Sequence, residues 1–143
     1  AVMANHRVPS LIPALEANAP ADLVDLARER FASQACLLEV CNALHQELGT
    51  AEFDYWNKLQ DRGLNDEDAR ILAWFLSRNT SCTQLSLWNN CFTSMGASAL
   101  ADALKVNSTL QTFRIGRNYR VGAAGCAAFA EALLVNTTLR TLG

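Results

Sequence analysis

The sequence predicts an α/β architecture: short parallel strands inside a solenoid, helices outside, and an all-α cap in front. Three observations carry this. Residues 53–143 recur at intervals of 28 and 29. Each interval switches from a two-residue to a helical period. Residues 1–52 do not recur, but place apolar side chains at helical spacing.

The recurrence is read first, because it sets the register for everything else. Asn79, Asn107 and Asn136 are 28 and 29 residues apart. The same two steps relate Leu64, Phe92 and Val121; Leu72, Leu100 and Phe129; and Leu76, Leu104 and Leu133. One inserted residue near Tyr119–Val121 lengthens the second step. Within a unit, apolar and polar residues alternate around Leu85 and Leu87, and again around Phe113 and Ile115, which predicts short strands. From Ser94, the expected N-cap, to Leu104 the apolar residues fall four apart, which predicts a helix. Residues 123–134 repeat that helix. Alanines at 97, 99, 101 and 103, and at 123, 124, 127, 128, 130 and 132, keep both helices slim enough to stack side by side. The first unit, residues 54–81, has the helix half. Its strand half departs, with Asn57 where Leu85 stands and Arg62 where Asn90 stands. Residues 139–143 open a further, incomplete unit, so about three units are expected, with more repeats or another subunit covering the exposed strand edge. The start at Ala1-Val2-Met3 likewise suggests a piece of a longer chain.

The pattern Leu85-x-Leu87-x-x-Asn90-x-Phe92, followed by Gly96, Leu100 and Leu104, resembles the leucine-rich repeat of the ribonuclease-inhibitor type. Ribonuclease inhibitors, NOD-like receptors, tropomodulins and Ran GTPase-activating proteins share that repeat. The resemblance covers residues 59–143. It implies a leucine-rich-repeat solenoid, and an asparagine ladder through Asn90 and Asn118, whose amides would satisfy backbone groups of the turn.

Before the repeats, residues 6–13 carry two prolines and are expected to start as an extended or turn segment. Leu11 and Leu15 suggest a short helix broken at Asn18-Ala19-Pro20, residues 21–31 a second, and residues 35–48 a third, ended by Gly49. Residues 8–48 also resemble a single armadillo-type repeat. The simpler expectation is a helical cap over the first repeat.

Composition limits function. Of 143 residues, 50% are hydrophobic and 18% charged, which excludes disorder. No apolar run reaches the roughly 18 residues of a membrane span. Net charge is −2, so the whole molecule is not a general nucleic-acid binder. The charge is uneven: residues 1–52 carry a net −4 and residues 104–143 a net +4, through Lys105, Arg114, Arg117, Arg120 and Arg140 against Glu131. Nucleic acid is not expected without a recognition motif. Five cysteines fit no paired zinc spacing, and Cys41 with His45 supplies two ligands where a structural zinc wants four. No metal or cofactor is expected. The odd thiol count suggests a reducing, intracellular, cytoplasmic setting. Asn79, Asn107 and Asn136 begin glycosylation sequons, but the position just past each helix gives each a structural role instead. Asp66-Glu67-Asp68 suits a helix start rather than a metal.

No phosphate loop, nucleophile elbow or matched catalytic pair is present, so the chain is not expected to be an enzyme. The strand residues that alternation turns away from the core are Gln84, Ser86 and Trp88, then Thr112, Arg114 and Gly116, with Asn89 and Arg117 just beyond. Gln84, Ser86, Trp88, Asn89, Thr112, Arg114 and Arg117 are the candidate partner-binding residues, on a concave face. Trp and Arg are the side chains enriched at binding hot spots, and Trp88 leads. Trp56 and Trp74 are assigned to packing. The expected function is a protein–protein interaction module, a scaffold or accessory subunit of a larger assembly. The alternative is the sensing or regulatory arm of a NOD-like receptor or GTPase-activating type protein.

Overall fold

A computed structural model describes residues 11–143. Three helices come first: α1 (Leu11–Asn18), α2 (Ala21–Ser33) and α3 (Ala35–His45). After a run of turns follow α4 (Asp66–Arg78), β1 (Gln84–Ser86), α5 (Ser94–Val106), β2 (Thr112–Arg114), α6 (Gly122–Val135) and β3 (Thr141–Leu142). The segment at 6–13, expected to start as extended or turn, falls partly outside the described residues. Its end is helical: Pro13 sits in the first turn of α1, where its missing N–H costs no hydrogen bond.

The strand-lined solenoid is corrected. Six helices hold more than half of the described residues, and the sheet is a small open one of three short parallel strands in the order β1-β2-β3. The reason is local. Alternation lasts only around one central apolar residue, Leu85 or Phe113. Four residues later Asn89 and Arg117 take left-handed backbone, with φ of 57° and 56°, and end the extended run. Residues 54–59 form turns and no strand. Asn57 gives that stretch no apolar centre, and Asp54 instead accepts the backbone N–H groups of Trp56 and Asn57.

Within the sheet Leu85 lies opposite Phe113, and Phe113 opposite Leu142. Leu85 and Phe113 are fully buried, each contributing about 2–3 kcal/mol by removal from water. They meet Leu72, Leu76, Leu100, Leu104 and Phe129 from the helices in one core that runs back to Leu11. Helix packing is close because the contact residues are small: a Cβ on Gly96 would strike Asp66, and one on Gly125 would strike Val121 and approach Ala97.

Asparagines build the joints. Asn90 Oδ1 accepts from the N–H groups of Arg62 and Leu64, while its Nδ2 donates to the carbonyls of Leu59 and Leu87. Asn118 repeats this with Phe92 N, Leu87 O and Ile115 O. A second row follows the helices. Asn79, Asn107 and Asn136 donate to the carbonyls of Leu44, Leu76 and Leu104 respectively, near the end of the preceding helix. Each Oδ1 accepts two backbone N–H groups of its own turn. With both amide atoms occupied and Asn79 and Asn107 buried, these two sequons offer no free acceptor nitrogen.

Helix starts are also tied across units. Thr93, not Ser94, is the N-cap of α5, accepting from Met95 N. Asp66 of α4 reaches across to accept from Thr93 N and Gly96 N, at 2.8 and 3.1 Å. Asn65 and Asp68 form a reciprocal capping box on α4. Asp68 is fully buried and holds Arg30 of α2 by two bonds, at 2.7 and 2.9 Å. That carboxylate raises the Arg30 pKa above its ordinary value.

Candidate functional site

The site is built where β1 and β2 leave the sheet. Residues 61, 89 and 117 all have left-handed backbone, and they are 28 apart. Asp61 N donates to Trp88 O, and Asn89 N donates to Gly116 O, so each turn hangs on the next. This stacks the turns in register and puts Trp88 beside Gly116. A Cβ at position 116 would stand 3.2 Å from Trp88 Cδ1 and 3.3 Å from Nε1. Glycine there seats the indole against the backbone.

Two guanidinium groups close on the same ring. Arg114 Cζ and Arg117 Cζ are each 4.8 Å from the Trp88 ring centroid, within cation–π range. A stacked guanidinium keeps its N–H groups in its own plane, directed away from the ring. Trp88 and Arg114 are half-buried and Arg117 is exposed. The result is a firm apolar plate edged by positive charge.

The remaining candidates divide. Gln84 is exposed and, with residues 50–57, lines a groove of about 490 Å³ that also displays Phe53 and Trp56. Thr112 is half-buried between Gln84 and Thr141 in the sheet register. Asn89 is half-buried and its amide donates to Asp61. Ser86 does not reach the surface. It is fully buried, and its hydroxyl donates to Gln60 Oε1 at 3.0 Å. The segment before α4 covers it, a long-range contact that strand alternation does not disclose. Trp74 carries Arg78 stacked on its ring, with Arg78 Cζ 3.1 Å from the centroid.

Sequence reasoning missed the seat at Gly116 and the cover from Gln60 and Asp61. The recurrence held a usable signal for the turns, since Asp61, Asn89 and Arg117 share one position in the period.

Other chemistry is quiet. Burial holds the Cys41 thiol well above the usual range, and pushes Cys82 up to about 12. His45 lies edge-on to Phe75 rather than forming a site with Cys41. Among the described residues no group of three His, Cys, Asp or Glu could hold a metal ion. No helix among them is long and apolar enough to cross a membrane. At the far end, α6 and β3 leave an apolar groove of about 370 Å³ lined by Ile115, Val121, Cys126, Phe129, Leu133 and Leu142. Nothing among the described residues covers it. On α5, the counterparts Ala97 and Leu104 are buried under α6.

No protein-family model matches the chain, and no curated protein does. Among solved structures it is similar to leiomodin-1 actin-binding site 2, with 30% sequence identity and a TM-score of 0.65. The match covers 77% of this chain and 62% of that one, so the chain spans less than two thirds of this neighbour. The likeness supports a leucine-rich-repeat-like fold, without assigning the ribonuclease-inhibitor type.

Proposed function

We propose that the chain binds a protein partner through the Trp88–Arg114–Arg117 surface, that this partner is actin, and that no turnover accompanies binding. The observation that carries the reading is the indole plate seated on Gly116 and held by two arginines. Trp and Arg in a fixed, half-desolvated arrangement are the usual material of a hot spot. The named neighbour is itself an actin-binding site, which supports the choice of partner. Five unpaired thiols, Cys41 and Cys82 buried among them, support a reducing intracellular compartment.

Titration of the chain against monomeric actin and co-sedimentation with filaments test this. Saturable binding is expected. Trp88→Ala should weaken it by about 2 kcal/mol or more, roughly 30-fold, with an unchanged far-ultraviolet spectrum. Absence of binding to either form of actin would overturn the choice of partner. Binding unaffected by Trp88→Ala would overturn the choice of surface.

A further inference from the structure

Resting on that surface assignment, we infer that the Trp88–Arg114–Arg117 patch takes an acidic segment of a partner polypeptide, its carboxylates bridging the two stacked guanidinium groups. The argument begins with the unmet needs of these arginines. Arg28, Arg30, Lys58, Arg70 and Lys105 each have a carboxylate within 4.0 Å. Among the described residues Arg114, Arg117, Arg120 and Arg140 form no ion pair, and Arg114 and Arg117 donate no side-chain hydrogen bond. A guanidinium carries five N–H donors in a rigid fork that matches a carboxylate. Cation–π contact with Trp88 holds both guanidinium groups near one ring before any ligand arrives, which lowers the side-chain freedom lost on binding.

The backbone points the same way. Arg117 occupies a left-handed conformation that its counterparts fill with Asp61 and Asn89, residues better suited to it. An arginine in that place spends backbone strain on holding its side chain beside Trp88.

Charge selects the class of ligand. The patch belongs to a stretch of net +4 in a chain of net −2. A long polyanion such as nucleic acid meets repulsion from the acidic first third, whereas a short acidic peptide meets only the local field. The chain also has no nucleic-acid motif.

The test uses the whole chain and a fluorescently labelled hexaglutamate peptide, read by anisotropy. Hexalysine, a single-stranded oligothymidylate and vesicles containing phosphatidylserine are the comparison arms. Hexaglutamate is expected to bind saturably, and about tenfold more weakly when salt rises from about 0.05 to 0.3 M. Arg114→Glu/Arg117→Glu should abolish binding. Arg114→Lys/Arg117→Lys keeps the charge but loses the fork, and should weaken binding by about tenfold. Arg28→Glu, on α2 and paired with Glu16, is the control and should change it little. Circular dichroism on each variant separates loss of site from loss of fold. Hexaglutamate binding that survives the double reversal in a folded variant would overturn the inference, and so would preference for the oligonucleotide or the vesicles. Peptide binding without actin binding would sink only the choice of actin. Actin binding that is weakened by Trp88→Ala but survives the double reversal, with no peptide binding, would sink only the acidic ligand.

Discussion

Arg117 carries a φ of 56° on a residue with a Cβ, a conformation costing about 1–2 kcal/mol. Removing the Cβ should relieve that strain, less the extra freedom glycine gains in the unfolded chain. Arg117→Gly is therefore expected to raise stability by about 0.5 kcal/mol in urea titration, while Arg117→Val, branched at Cβ, should lower it by about 1 kcal/mol or more. A glycine variant less stable than the parent would show that the stack on Trp88 contributes more than the strain costs. A second residue-scale effect concerns Cys82, whose buried thiol is pushed from 9.0 to about 12. The folded state holds that proton more tightly than the unfolded chain does. Its contribution to stability is complete below pH 9 and is lost as pH rises toward about 12. Burial moves Cys41 and Tyr55 in the same direction. The melting temperature should fall with increasing steepness above pH 9, and Cys82→Ala should flatten part of that fall.

At the scale of the element, the asparagine after each of α4, α5 and α6 matters more than the helix's own end. Asn107 donates to Leu76 O and Asn79 O and accepts from Thr109 N and Leu110 N, all within 3.3 Å. Asn107→Ala leaves these buried groups unpaired and should cost about 3 kcal/mol. Asn136→Ala removes the same pattern at a half-exposed position, where water can substitute, and should cost less. Equal losses in urea midpoint would mean that burial is not what gives the amide its weight. Much of this was legible in the sequence, because a residue that performs one local task returns at one interval: Asn90 with Asn118, Asn79 with Asn107. What was illegible depends on contacts between distant segments. Gln60 buries Ser86, Asp66 caps α5 from α4, and Gly116 seats Trp88, and no periodicity states which side chain meets which. The strands were overextended for a different reason. Alternation marks which residues face the core, but the left-handed residue that stops the strand leaves no trace in hydrophobicity.

On the whole molecule, the three leading helices and the strand–helix units share one core, from Leu11 to Ala132. They are joined by polar ties as well. Arg30 meets Asp68, Glu47 accepts from Thr80 N and Oγ1, and the Thr50 and Thr83 hydroxyl oxygens lie 2.9 Å apart. Such a molecule should unfold in one step. Arg30→Leu tests both the tie and the unity. It strands the Asp68 carboxylate at zero exposure with only the Asn65 N–H to solvate it, and should cost about 3–5 kcal/mol. Adding Asp68→Asn removes the stranded charge, and should recover part of that loss. Tryptophan fluorescence reports from positions 56, 74 and 88, and far-ultraviolet circular dichroism reports from all the helices. Both transitions should shift together in each variant. If α1–α3 melted away while the environment of Trp88 stayed folded, the helices would be an appended layer and the shared core would not act as one unit. Coincident shifts would mean that the surface around Trp88 is held in place by a residue in α2, far from it in the chain.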